Sequence, residues 1–514
     1  MIAIWDNPEF IRNVRAQLRL GRAAATAIIC AAISLVIGFA ISHQTDHGLA
    51  DGPYGWGLRI LQTAFWLQAL MLAAGGGIAC INSIHREKEQ NTFDYQRVTR
   101  LTPLELTLGK LFGAPVFTYF VFLCLMPLAI FGAVEGHRSL VSVIAAYAVL
   151  LVATITIHAL ALLISLLTVR GSHTGAILLL LVLLGGTATT GGGSRVFQVH
   201  SFGPFYALEV LRSAESDSTL TRISSDRFAP LSDVDVFFGH EVLHVPLLLI
   251  VDLLFTAWFL LALVRNIKRD PNYYAIYSPL QSLGFAIFLN LLFVAFFNWQ
   301  SASPLDSQAI LLSLNVGIFF CIGLIALRNR ERVRRILRAE QSPASSWLAT
   351  IWPAPLMIAG TLSVGLLIVF GISQGRDPRI EWNPNFAVLR TLFFVAWIVR
   401  DLQFLQWMGL RRGKHQLVMG VLYLIIFYVC VSILMGSLGV FSKPERTPFA
   451  AFFLPTAMYV LDHTAWLLRP AIWIAAFIAQ WIVVAGFIGL QRQSIAELES
   501  ATSNPSATPV AAQA

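Results

Sequence analysis

Apolar positions in this chain fall into long blocks, separated by short polar connections that are mostly basic. A helix rises about 1.5 Å per residue, so about 20 apolar residues cross the hydrocarbon core of a bilayer. Blocks of that length recur at 23–41, 61–81, 111–134, 141–167, 176–190, 245–264, 280–297, 309–327, 347–371, 386–408, 417–438 and 471–490. The predicted fold class is all-α, a polytopic membrane protein of about twelve transmembrane helices. The fifth block is short and ends in glycines and threonines, so it reads as a broken helix. The ninth carries Pro353 and Pro355 and begins late.

Ahead of the first block, Asn7 and Pro8 open a segment with two faces. Phe10, Ile11, Val14 and Leu18 form one face, and Arg12, Arg15, Arg19 and Arg22 recur on another. Proline suits a first helical turn, and the two faces predict an amphipathic helix in the membrane interface. A related order follows the sixth block: Arg265, Lys268, Arg269, Asp270 and Pro271, then Tyr273, Tyr274 and Tyr277, two spans, and the basic run 328–338. This echo divides the chain into a unit at 1–270 and a second six-span unit at 271–498, a possible divergent repeat. Residues 499–514, rich in Ala, Ser, Thr and Pro, read as a disordered tail.

Composition strengthens the membrane reading. The 514 residues are 56% hydrophobic and 12% charged, against about 25% charged in a soluble domain, and the mean hydropathy is +0.69. That excludes a disordered chain, a collagen, a disulfide scaffold and an ordinary soluble enzyme. The net charge of +8 does not point to nucleic acid, because the basic residues sit between apolar blocks. By the predicted spans, 24 of the 36 lysines and arginines lie on the side of the N-terminus. The positive-inside rule makes that side cytoplasmic, with both termini inside a multi-pass cytoplasmic (inner) membrane protein. The polar insert at 191–240 then faces outward. The five cysteines lie inside apolar blocks and read as small buried hydrophobes. The first apolar block follows four arginines and lacks a small-residue cleavage site, so it does not read as a signal peptide. Trp299, Trp347 and Trp382 read as interfacial anchors against membrane lipids, and the Gly75–Gly77 run as a site of close helix packing.

The connection after the second block carries the most specific pattern. Thr102, Pro103, Leu104 and Glu105 spell a helix start, with threonine as N-cap, proline first and glutamate third. Before it runs a charged stretch, 86–100, with Phe93 and Val98 available to touch a partner. The stretch resembles the cytoplasmic loop of ABC-2-type transporter permeases, the transmembrane subunits of ATP-binding cassette transporters. Arg86, Glu87, Glu89, Thr92, Thr102, Pro103, Leu104, Gly109 and Lys110 match that family's order. Asn91 replaces the usual glycine, and Phe93 replaces the usual leucine. Asparagine tolerates a left-handed backbone, so the turn survives.

The resemblance implies a permease subunit, an exporter more than an importer, driven by separate ATP-binding subunits. A second permease copy is needed if only the first half is a true permease unit. It implies that 86–92 docks on the ATPase, with Arg86, Glu87, Glu89, Asn91 and Thr92 as polar contacts, Phe93 as an apolar anchor, and Thr102 and Pro103 completing the coupling set. Arg86 and Glu87 are expected to lie outside the bilayer, where their removal leaves the fold intact. This chain has no phosphate-cradling loop: Lys110 is followed by leucine, and the Gly191–Ser194 run has no lysine after it. No cofactor is assigned to the chain itself, and ATP and Mg belong to the partner.

Three other features carry candidate chemistry. His240, Glu241 and His244 match the zinc-protease pattern HExxH, with two histidine ligands one helical turn apart and a glutamate base. No third ligand stands out among His200, Glu209 and Asp252, so the pattern remains the rival reading of an intramembrane metalloprotease. His158 and Asp252 lie inside predicted spans, where ionisable groups line a substrate path or pack within hydrogen bonds. Asp252 also supports a weaker rival, an ion-gradient-driven carrier.

Overall fold

A computed structural model describes residues 6–44, 55–167, 211, 234–237, 240–269, 276–277, 279–295, 330, 333, 384–411, 416–438, 440, 447–454 and 470–503. The described residues are mostly helical, and seven of their helices are long and apolar enough to cross a membrane: Leu20–Ile41, Gly55–Glu89, Val116–Glu135, Leu140–Leu167, Val245–Asn266, Met419–Ser437 and Pro470–Leu498. These coincide with predicted spans one to four, six, eleven and twelve. The predicted spans 176–190, 309–327 and 347–371 lie outside the described residues, as do Trp299, Trp347, Trp382, residues 191–194 and most of 328–338.

The chain forms two compact units, Met1–Ile276 and Tyr277–Ala514. In the first, α1 (Pro8–Gln17) precedes α2 (Leu20–Gln44), then α3 (Gly55–Leu70) and α4 (Gly76–Glu89). A π-turn, Met71–Gly75, joins α3 to α4 without breaking them, giving one helix of 35 residues. At about 1.5 Å per residue it is about 50 Å long, well beyond the ~30 Å hydrocarbon core. The apolar block at 61–81 is only its middle. Short α5 (Phe93–Arg97), α6 (Pro103–Gly113), α7 (Val116–Glu135) and α8 (Leu140–Leu167) follow.

The core of this unit lies between α3, α7, α8 and α9 (His244–Asn266), where Ile60, Leu61, Phe65, Phe122, Leu150 and Leu248 are buried together. Tyr147 stacks its ring 5.1 Å from Phe65 and donates to Gln68 Oε1 at 2.6 Å. Gln68 in turn donates to the carbonyl of Phe122 at 3.2 Å, so this buried amide is paired on both ends. By contrast α2 is barely covered, with 6% of its apolar window buried against 56% for the α3–α4 helix. A helix apolar all round and open to its surroundings is what lipid solvates.

The expected all-α class needs one correction. Strands β1 (Val234–Phe237) and β2 (His240–Leu243) pair antiparallel, from Val234↔Leu243 to Phe237↔His240.

In the second unit the described elements are α10 (Pro279–Ala295), α11 (Pro384–Leu410), α12 (Gln416–Ser437), α13 (Thr447–Ala450) and α14 (Pro470–Ser503). The tail drawn from residue 499 starts too early, because α14 continues through Ser503. Residues 494–501 hold Ala, Glu and Leu, strong helix formers that extend the preceding span.

Candidate functional site

The loop that carries the family resemblance is built by two helix signals and a buried ion cluster. Helix α4 ends in a Schellman motif. Thr92 N–H donates to the Glu87 carbonyl at 2.9 Å, and Asn91 N–H to that of Lys88 at 3.1 Å. The motif needs a left-handed residue, and Asn91 supplies it with φ 54°. Helix α6 starts with the expected capping box: Thr102 accepts from Glu105 N–H at 3.2 Å, and Glu105 Oε2 accepts from Thr102 N–H at 2.7 Å. The backbone and hydroxyl hydrogen bonds from Thr102, aided by Lys268, hold the Glu105 carboxyl below its ordinary range.

Beneath these turns, three distant segments meet. Lys110 Nζ lies 2.5 Å from Glu87 Oε2 and 3.1 Å from Glu9 Oε1. Arg12 Nη2 lies 2.7 Å from both Glu87 Oε1 and Glu9 Oε1. The side chain of Lys110 is 1% exposed, Glu9 5%, Glu87 12% and Arg12 53%. Two cations face two carboxylates, so the cluster is neutral. Burial opposes the charge on Arg12, but Glu9 and Glu87 outweigh it and raise its pKa further.

The N-terminal helix reaches this cluster because of its own cap. Asn7 Oδ1 accepts from Glu9 N–H at 3.0 Å, while Asn7 Nδ2 donates to the Glu105 carbonyl at 2.6 Å. One side chain thus caps α1 and ties it to α6. Gly109 permits that approach, since a Cβ there would stand 2.7 Å from Glu9 Cβ. The matched Gly109–Lys110 pair therefore has a physical meaning: the glycine admits α1, and the lysine neutralises what α1 brings.

The eight residues expected to face an ATPase divide into three groups. Arg86, Glu89, Asn91 and Thr92 are exposed. Thr102 and Pro103 make the start of α6. Glu87 and Phe93 turn inward, which corrects two expectations. Glu87 is committed to Lys110, Arg12 and Gln96 Nε2, the last at 2.7 Å. Phe93 is 2% exposed beneath the Arg97 guanidinium, which stands 4.7 Å from its ring. The exposed apolar side chains of this loop are instead Tyr95 at 76% and Val98 at 79%. The residues after α9 clamp the loop, with Lys268 Nζ donating to the Thr99 carbonyl at 2.9 Å and Arg97 to that of Arg269 at 3.2 Å. Lys88 Nζ caps the end of α8, donating to the carbonyls of Ser165 and Leu166 at 2.7 and 2.8 Å.

The remaining candidates fall elsewhere. His158 is fully buried, with Nε2 2.8 Å from the Leu72 carbonyl in the π-turn and Nδ1 3.0 Å from the Tyr119 hydroxyl. A carbonyl only accepts, so Nε2 carries the proton and Nδ1 receives the Tyr119 O–H. Gly76 makes room for the ring, as a Cβ there would lie 2.2 Å from Nε2. Asp252 is 8% exposed on α9, and its carbonyl accepts from Thr156 of α8 at 3.1 Å. His240 and Glu241 belong to strand β2, whereas His244 is the first residue of α9. The two histidines are thus not one turn apart on a helix, as the zinc pattern requires. His200 and Glu209 lie outside the described residues. Among the described residues no three His, Cys, Asp or Glu side chains gather where a metal could bind.

One constellation has no counterpart in the sequence reading. Arg400, buried in α11, pairs at 2.7 Å with the adjacent Asp401, which is partly buried. Arg400 also donates to Gln480 Oε1 of α14 at 3.0 Å and to the Tyr428 hydroxyl of α12 at 2.7 Å, and Tyr428 donates to Asp401. Arg400 stands 4.1 Å from the Trp397 ring. A cavity of about 630 Å³ adjoins this pair, walled by Phe404, Phe427, Phe452 and Phe487. The signal available in the sequence is two adjacent charges inside the block 386–408. No family model matches the chain, and no curated protein or solved structure matches it.

Proposed function

We propose that this chain is the permease subunit of an ABC-2-type transporter, an exporter of about twelve spans in the cytoplasmic membrane with both termini inside. Separate subunits that bind ATP and Mg drive it, and the end of α4 is where they dock. The observation that carries this reading is the loop at the end of the 35-residue helix. It presents Arg86, Glu89, Asn91 and Thr92 outward while Glu87 fastens its base to α1 and α6. A rigidly rooted polar tip on a helix longer than a bilayer is a lever: force on the tip reaches the π-turn and α7 without being lost in a flexible loop. Tyr95 and Val98 take the place of Phe93 as apolar contacts.

The test is the double variant Arg86→Ala, Glu89→Ala, expressed with an ATP-binding cassette partner that co-purifies with the wild-type chain. Each lost hydrogen bond to a charged group costs about 1.5–3 kcal/mol, so docking or its transmission falls by more than about tenfold. The variant is expected to insert and accumulate normally yet fail to stimulate ATP hydrolysis. Unchanged stimulation, with the complex still formed, removes the coupling role from this loop.

A further inference from the structure

A second feature of the first unit lies beside the ion cluster. A cavity of about 950 Å³ opens between α1, the start of α2, the α3–α4 helix and α7. Its wall is mixed. Met71, Ala79 and Phe117 are apolar, Asn82, Ser83 and Thr118 are among its neutral polar groups, Glu87 brings a carboxylate already held by Lys110 and Arg12, and Arg12, Arg22 and Arg86 bring guanidinium groups to the same space. Arg12 is neutralised within the cluster. Arg22 and Arg86 make no side-chain hydrogen bond or ion pair with any described residue, so the cavity carries two uncompensated positive charges. The π-turn contributes Met71 and Gly75 to the wall, and such turns recur at functional sites.

We propose that this cavity binds an anionic headgroup of the phosphate class carried on an acyl chain, that is, an anionic membrane lipid. Guanidinium forks match phosphate oxygens in pairs, which a carboxamide or hydroxyl lining alone does not achieve. The charge is paired with an apolar wall, which a free anion does not need and an acyl chain does. The position suits a headgroup, because Arg22 stands in the first turn of α2, just where its lipid-facing apolar run begins. The volume falls within the range that holds a ligand of drug size, about 300–1,000 Å³. This site goes beyond the coupling reading but shares Arg86 with it, so its test is run without an ATPase and its failure is distinguishable from a failure of docking.

The experiment uses the purified full-length chain, delipidated in neutral detergent, without any partner. Binding of fluorescent phosphatidylglycerol is compared with binding of the phosphatidylcholine analogue, with inorganic phosphate and glycerol phosphate as soluble competitors. Saturable binding with about tenfold preference for phosphatidylglycerol is expected, and Arg22→Gln with Arg86→Gln should reduce it by about tenfold or more. Arg15→Gln with Arg19→Gln, a pair on the same leader that does not line the cavity, should change it by less than about threefold. Arg22→Lys with Arg86→Lys keeps the charge and should retain part of the binding, and an unchanged thermal unfolding transition of the double glutamine variant shows that it is folded. Ala79→Phe, which fills the apolar wall, should weaken lipid binding as well. Equal losses from the two arginine pairs would mean general surface attraction and overturn the site. Competition by inorganic phosphate or glycerol phosphate as strong as that of the lipid would overturn the membrane source. No preference for the anionic headgroup would overturn both.

Discussion

The two units each bury charge, and they do so in opposite ways. In the first, Glu9, Arg12, Glu87 and Lys110 come from α1, α4 and α6, and Lys110 meets a partner 101 positions away. In the second, Arg400 and Asp401 are neighbours on one helix, and α12 and α14 contribute only the neutral groups of Tyr428 and Gln480. The first arrangement is a staple: Glu9 and Arg12 pair within α1, but Glu87 and Lys110 find these partners only when α1, α4 and α6 are docked. The second is a pair whose net charge is zero before any other helix arrives, so its neighbours refine it without having to neutralise it. A buried charge network therefore reports on assembly only when its members lie on different elements.

Removing one member should expose this difference. Lys110→Met leaves Glu9 and Glu87 facing each other with only the half-exposed Arg12 between them. Breaking a buried pair costs about 3–5 kcal/mol, and this is the largest effect expected anywhere in the chain. Thermal unfolding in detergent should show it, with α1 released first and open to proteolysis. Adding Glu9→Gln and Glu87→Gln removes the stranded charges and should recover most of the loss, because replacing all partners of a buried network is often nearly neutral. Failure of that rescue would mean that packing, and not charge, holds α1. In the second unit, Arg400→Met leaves one carboxyl with a hydroxyl donor already in place. A loss of about 2 kcal/mol is expected in the same assay, with α11, α12 and α14 remaining docked.

The same contrast explains what the sequence could disclose. The capping box and the left-handed Asn91 were legible because each is a local rule applied to a few adjacent residues. The apolar blocks located seven membrane-length helices because periodicity hardly matters when a helix is apolar all round. Glu9 was invisible, since nothing at its own position distinguishes a solvated acid from one that waits for Lys110. Glu87 and Phe93 were placed outward for the same reason: charge runs are usually solvated, and inward rotation shows only once α1 and the residues after α9 are seen to clamp the loop. The HExxH pattern failed differently, for its four-residue spacing has meaning on a helix and none across a strand end.

A smaller test concerns the contact that lets the staple close. Gly109→Ala places a methyl group 2.7 Å from Glu9 Cβ and 2.8 Å from Asn7 Oδ1, so α1 must shift. Overpacking of this kind costs about 1–3 kcal/mol. The expected signature is a partial loss of stability in the same thermal unfolding assay, with α1 more open to proteolysis. An alanine variant as stable as wild type would show that α1 slides freely over α6 and that the ion pairs tolerate the movement.

The smallest effect expected is a pH dependence at the start of α6. Glu105 has its pKa lowered from the ordinary 4.5, first by the backbone hydrogen bond from Thr102, then by the hydroxyl of the same residue, with Lys268 assisting. A carboxyl held low in the folded state stabilises it above the ordinary value and loses that contribution as pH falls through the depressed one. The α6 cap should therefore stay intact at neutral pH and fray only in acid below the ordinary carboxylate range. Hydrogen exchange of the amides at Thr102 and Glu105 reports this directly, because both are protected by the box alone. Thr102→Ala should make the Glu105 amide exchange fast at every pH while the amide at position 102 keeps its carboxylate acceptor and its acid transition, whereas Lys268→Gln should only move that transition slightly upward.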